Sequence, residues 1–174
     1  MGRIREATIA DAAAIGRVHV QSWVETYRGI LPDPFLGQVA QEDREPVWRR
    51  WLTEYAGQNF VYVAENAAGE VVGFASGGAE RGKTPGYDGE LYALYLLQRG
   101  QKEGLGRGLM EAVARRLLKE GYHSLLVWVL ADNPARHFYA HLGGKQVAEQ
   151  PIEIGGTTLI EIAYGWPALE AMVG

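Results

Sequence analysis

The chain contains no cysteine. Its absence excludes disulfides, thiolate metal sites and any covalent acyl-cysteine intermediate, and it argues against a secreted, disulfide-stapled protein. There is no apolar run near the roughly 18 residues that a membrane-spanning helix needs, and the opening MGRIREATIADAA has no stretch of the signal-peptide kind. Positive charge is not in excess either: 17 Lys and Arg stand against 21 Asp and Glu, a net charge of −4. Non-specific nucleic-acid binding calls for a basic face. The expectation is a soluble, cytoplasmic protein with neither a nucleic acid nor a membrane as partner. Repeats, low-complexity tracts and linkers are also missing. What remains is ordinary globular composition, 47% apolar and 22% charged over 174 residues, enough for one domain with a substantial core.

The hydrophobic period changes along the chain. Residues 4–7 read as a short strand, and Thr8 with Asp11 three residues on has capping-box spacing. Ile15, Val18, His19, Ser22 and Trp23 recur at helical spacing, which predicts a helix ending near Tyr27. A turn or short helix begins at Leu31-Pro32-Asp33-Pro34. A further helix over about 42–55 carries Val47, Trp48, Trp51 and Leu52 on one side, and Trp48 and Trp51 are assigned to core or to a dimer contact. NFVYVAE (59–65) and EVVGFAS (70–76) flank an Asn-Ala-Ala-Gly turn and predict a hairpin. A third β run covers 87–97. Residues 104–120 predict a helix, SLLVWVL (124–130) a central strand covered on both faces, 133–142 a short helix, and 145–154 with 157–164 a final hairpin. The order β-α-α-β-β-β-α-β-α-β-β implies one α/β domain with a mixed sheet.

Two glycine-rich loops compete as phosphate sites. Gly77 to Thr84, GGAERGKT, matches the nucleotide-binding pattern G-x-x-x-x-G-K-T. A P-loop must open directly into a helix whose free N–H groups cradle phosphate. Here Pro85, Gly86 and a β-patterned run follow, so a hairpin loop is expected. The second loop, QKEGLGRGLM (101–110), does lie between a strand and a helix. Gly104, Gly106 and Gly108 fall in or just before its first turn, where each glycine costs roughly 0.5–1 kcal/mol relative to alanine. A pyrophosphate resting on helix N-terminal N–H groups would explain them; a tight strand-to-helix turn would too. The dinucleotide fingerprint G-x-G-x-x-G is not met, since the sixth position is Leu109 or Glu111. His137 and His141 are four apart on a predicted helix, but no HExxH or further ligand accompanies them, and no metal is expected.

Gln101-Lys102-Glu103-Gly104-Leu105-Gly106 resembles the Q/R-x-x-G-x-G/A signature of the GNAT superfamily of N-acetyltransferases. Glu90-Leu91-Tyr92-Ala93-Leu94-Tyr95-Leu96 stands where that family has its fourth strand. Asn133-Pro134-Ala135-Arg136-His137-Phe138-Tyr139 is similar to its N-x-x-x-x-F-Y segment, and Trp23 to Leu36 resembles a bacterial branch of it. The resemblance covers essentially the whole chain. It implies a single GNAT domain over 1–174: a mixed, mostly antiparallel sheet of about seven strands flanked by about four helices, with strands four and five splayed around the pantetheine arm of acetyl-CoA.

The resemblance also implies roles. Leu94, Tyr95 and Leu96 would bond the pantetheine through their backbone. Gln101, Lys102, Glu103, Gly104, Leu105, Gly106 and Arg107 would hold the pyrophosphate with Gly108 close by, and Asn133 would contact CoA as well as cap its helix. Tyr139 would protonate the departing thiolate, because a phenol of pKa about 10 keeps its proton at neutral pH. Glu90 would draw the amine proton through water, with Tyr92 as a relay. Trp23, Tyr27 and Glu25 would face the acceptor, a small-molecule amine or a protein amino group. Homodimers are common in the superfamily, with the final hairpin or the Trp-rich helix as the candidate contact. The rival readings are an acyl-CoA sensor of the same fold without turnover, and a P-loop phosphotransferase built on Gly77 to Thr84.

Overall fold

A computed structural model describes residues 1–174. The seven strands are β1 (Arg3–Glu6), β2 (Asn59–Glu65), β3 (Val71–Ala79), β4 (Gly89–Leu96), β5 (Leu125–Leu130), β6 (Lys145–Ile154) and β7 (Thr157–Trp166). They form one sheet in the order β1-β2-β3-β4-β5-β7-β6, antiparallel except for the central pair β4 and β5. The α-helices are α1 (Ala12–Tyr27), α2 (Asp33–Val39), α3 (Glu45–Thr53), α4 (Leu105–Lys119), α5 (Ala135–His141) and α6 (Glu170–Val173). This is the single α/β architecture and mixed sheet expected, with two helices more. Both additions are short: α2 grows from the Pro-Asp-Pro turn, and α6 follows the last strand. No helix is long and apolar enough to cross a membrane.

Helices cover both faces of the sheet. Leu105, Leu109, Met110, Val113 and Leu117 recur along α4 at helical spacing, and all are buried against Leu91, Leu125 and Val127. On the other face, Ile15 and Val18 of α1 and Trp48 of α3 pack on Val61, Val63 and Phe74. A smaller cluster of Tyr27, Leu31, Leu36 and Leu130 closes one end. Asp11 accepts the Thr8 N–H at 2.8 Å, the predicted cap interaction, and also pairs with Arg5.

The centre of the sheet is pinned at one end and open at the other. At the pinned end, the Asp88 carboxylate accepts N–H bonds from His123 and Ser124, while the Ser124 hydroxyl accepts the Asp88 N–H at 2.9 Å. Gly89 follows; a Cβ there would stand 2.6 Å from the Ser124 carbonyl oxygen, so only glycine allows this approach. Strands β4 and β5 pair over Gly89, Glu90 and Leu91 alone. Immediately afterwards the β3–β4 register skips Tyr92: Gly77 faces Leu91 and Ser76 faces Ala93. The extra residue is a β-bulge, which bends and twists its strand. Past it β4 leaves β5, and Trp128, Val129 and Leu130 pair only with β7. The two strands form a fork.

Candidate active site in the fork

The fork opens into a cavity of about 750 Å³ lined by Tyr92 to Leu96 on one prong and Val127 to Leu130 on the other. With β5 gone, the outward backbone groups of β4 have no strand partner, so this edge is a template for one extended chain. At the far end of β4 the cavity reaches the start of α4. Gly104 begins that helix at φ +76, a left-handed conformation that suits glycine, and no side chain caps the first turn. The first intrahelical bond is Gly108 N–H to Gly104, at 3.0 Å. The amides of Leu105, Gly106 and Arg107 are therefore the orphan donors of the helix start, at the positive end of its dipole.

The structure separates the residues expected at this loop. Gln101, Lys102, Gly104, Gly106 and Arg107 line the cavity. Glu103 is exposed and does not, and the Leu105 side chain is buried in the core. Gly108 is a packing glycine, since a Cβ there would lie 2.9 Å from Ile4 of β1. The other loop is not a phosphate site. Gly77 and Gly78 lie inside β3, no helix follows Thr84, and the Glu80 carboxylate accepts the N–H groups of Gly82 and Thr84 at 2.7 and 3.0 Å. An internal anion already occupies that turn, and the phosphotransferase reading falls.

Aromatic side chains build the cavity wall. The Trp23 indole N–H donates to the Tyr95 hydroxyl at 3.0 Å, and Trp23 packs edge-on against Tyr27. Expected to contribute only backbone, Tyr95 is thus a side-chain hub between α1 and β4. The Asn133 amide reaches Tyr27 at 3.4 Å, while its carbonyl oxygen accepts the Ala135 N–H at 2.9 Å. One asparagine therefore caps α5 and faces the cavity. Tyr139 lies one helical turn on and lines the cavity; burial, then the neighbouring Tyr95, pushes its phenol above the ordinary range, so it keeps its proton.

Two expectations at the base of the fork are corrected. Glu90 does not line the cavity. It sits in the paired part of β4, with one oxygen accepting the Arg81 backbone N–H at 3.0 Å and the other the Arg81 guanidinium at 2.7 Å. A carboxylate so occupied is not free to take a substrate proton. The Tyr92 ring does line the cavity, but its hydroxyl donates to the Ala79 carbonyl at 2.5 Å and Arg81 covers the ring. Burial raises this phenol to about 12, and it relays nothing to the cleft. Tyr92 is the bulged residue itself, and Glu90, two residues before it, holds the Arg81 that covers its ring.

Several cavity residues were not anticipated: Trp128, Leu130, Ile152, Ile154 and Glu161. An all-apolar strand such as β5 carries no alternation to mark an open face, which is why Trp128 read as core. Glu25 does line the cavity, with its carboxylate on the Gln98 N–H at 3.1 Å. Trp48 is core: it packs on Phe74 and donates to His19.

Comparison with known proteins agrees with this geometry. Residues 78–151 match the FR47-like protein family. YuaI of Bacillus subtilis strain 168, itself described as an uncharacterised N-acetyltransferase, is 41% identical over 172 residues, covering 99% of this chain and 96% of YuaI. Among solved structures, the PaiA N-acetyltransferase of Thermoplasma acidophilum in complex with coenzyme A superposes with a TM-score of 0.70 at 18% identity, over 93% of this chain and 98% of that one. YncA of Salmonella typhimurium with acetyl-CoA gives 0.71 at 24% identity, over 97% and 94%. At these identities the structures attest the fold. The fork, the uncapped helix and the full-length likeness to YuaI together lead to one conclusion: the chain belongs to the GNAT superfamily of N-acetyltransferases and is an acyltransferase.

Proposed function

We propose that residues 1–174 act as one domain that moves an acetyl group from acetyl-CoA to a primary amine, on a small molecule or a protein, by direct attack in a ternary complex. The observation that carries this reading is the continuity of the fork: an unpaired β4 edge leads straight to an uncapped helix N-terminus. An extended pantetheine fits the first, and a pyrophosphate the second. The coenzyme A and acetyl-CoA in the related PaiA and YncA structures support it.

The Leu94, Tyr95 and Leu96 backbone bonds the pantetheine. The amides of Leu105, Gly106 and Arg107 receive the pyrophosphate, with Lys102 and Arg107 adding positive charge and Asn133 contacting the arm. The amine nitrogen attacks the thioester carbon, the C–S bond breaks, and the Tyr139 hydroxyl gives its proton to sulfur. The proton lost by the amine replaces it through water, since Glu90 is occupied. Trp23 and Tyr27 border the acceptor. The exposed β6–β7 hairpin is the candidate homodimer contact, because Trp48 of α3 is spent on the core.

Calorimetry with acetyl-CoA and, separately, Mg-ATP tests binding; release of CoA thiol with an amine panel tests turnover. Acetyl-CoA binds and Mg-ATP does not. Tyr139→Phe lowers kcat by about 100-fold, the usual size for one general acid, while acetyl-CoA affinity stays within about twofold because the packing of the ring is kept. Binding without turnover of any amine would favour the sensor reading. An unchanged kcat would remove Tyr139 from the mechanism.

A further inference from the structure

Four charged side chains line the cavity: Lys102 and Arg107 at the α4 end, Glu25, and Glu161 of β7. Three have assignments within the protein or the proposed cofactor path. The Glu25 carboxylate accepts from the Gln98 backbone and from Gln21. Glu161 differs. Its one hydrogen bond comes from the neutral amide of Gln150 across the hairpin, at 2.5 Å, and it has no cationic partner.

Its surroundings make that unusual. Glu161 stands opposite Leu130 in the β5–β7 register, and Trp128 precedes Leu130 by two residues on the same face. Ile152 and Ile154 of β6 complete an apolar surround. Trp23 of α1 lines the same cavity. A lone carboxylate among tryptophan and aliphatic side chains has lost part of its hydration without gaining a counter-ion, and a ligand cation supplies what is missing. The cavity thus carries Lys102 and Arg107 where α4 begins and an unpaired carboxylate at β7.

We infer that Glu161 is an acceptor-specificity residue that binds a second positive charge on the amine substrate, so that the acceptor is a diamine or similarly dicationic molecule. The inference rests on the acetyl-transfer reading above. On the acetyl-transfer reading Glu161 is set apart from the reacting nitrogen: its strand β7 is two places from β4 in the sheet, roughly 10 Å between backbones. That gap is spanned by a short alkyl chain with one amine at the thioester and the other at Glu161, its methylenes along Trp128 and Leu130.

The test uses three acceptors of equal chain length: butylamine, putrescine and γ-aminobutyrate, whose far ends are neutral, positive and negative. The wild-type protein with acetyl-CoA prefers putrescine over butylamine by about tenfold or more in kcat/KM, the size expected of a partly desolvated ion pair, with the difference in KM. γ-Aminobutyrate is the poorest. Glu161→Gln removes most of the preference, and Glu161→Lys inverts the order of putrescine and γ-aminobutyrate. Glu149→Gln, a loss of charge on the exposed side of the same hairpin, keeps it. Equal use of butylamine and putrescine by the wild type, or a preference that survives both Glu161 substitutions, overturns the inference. If acetyl-CoA itself fails to bind, the acetyl-transfer reading fails instead. If it binds but no amine turns over, calorimetry of the three compounds with CoA-saturated protein reads the same order, and equal affinities overturn the inference.

Discussion

At the scale of single residues, three glycines of one motif do three different things. Gly104 adopts φ +76, Gly108 admits Ile4, and Gly106 lines the cavity with room for a Cβ, which would lie 3.4 Å from Phe138 in ordinary contact. Gly106→Ala is therefore the clean probe of the proposed phosphate site. Alanine gains about 0.5–1 kcal/mol in a helix, so thermal stability should hold or rise while acetyl-CoA affinity falls about tenfold as the methyl crowds the donor amides. A variant that binds acetyl-CoA as tightly as the wild type would make Gly106 a packing glycine like Gly108. None of this division was legible in the sequence, where the three glycines are equivalent letters. The same holds for Glu90 and Tyr92. Their place on the fourth strand was read correctly, but the bulge and Arg81, nine and eleven residues away in sequence, decide where their polar atoms go.

At the scale of elements, the fork depends on the pinch below it. Asp88 and Ser124 lock the ends of β4 and β5 together, and Gly89 brings the backbones close enough to pair. A methyl at Gly89 would meet the Ser124 carbonyl at 2.6 Å and the Leu117 methyls at 3.1–3.2 Å. Backbone cannot yield as a flexible side chain does, so Gly89→Ala should cost about 2–3 kcal/mol. For a chain of this length that is a fall in Tm of about 4–12 °C, read by thermal melting, and acetyl-CoA binding should weaken with it. A variant that melts like the wild type would show that the pinch relaxes and that the bulge alone sets the fork. The individual elements were legible because their periods are strong. Their separation was not, since a strand that leaves its neighbour has the same alternation as one that stays.

At the scale of the whole molecule, His19 sits where α1, α3 and the sheet meet. Its ring stacks on Tyr95, and its two nitrogens face Arg44 at 2.8 Å and the Trp48 N–H at 3.1 Å. Both neighbours only donate, so a second ring proton is unwelcome. Burial, then Arg44, lowers the imidazole from its ordinary 6.5 to about 4. A folded-state value below the unfolded one means a contribution to stability that is complete above about pH 6.5 and lost as pH falls towards 4. The loss is on the order of 3 kcal/mol. Tm should therefore drop across that window, and His19→Gln should flatten the profile there. Superimposable profiles for the two proteins would place the acid sensitivity elsewhere. The reading depends on three packed layers, and no local segment contains it.

The sequence alone determined the class of sheet, the order of its strands and main helices, and the glycine loop and tyrosine on which the proposed function rests. These follow from local periodicity, glycine spacing and short motifs, all of which act within a few residues. Only the tertiary structure decided which glycines face the cavity, that Glu90 is held by Arg81, and that Glu161 is left without a counter-ion. Those outcomes depend on groups brought together across the sheet from distant parts of the chain. Charge and hydrogen bonding act through space, whereas the sequence orders residues only along the backbone.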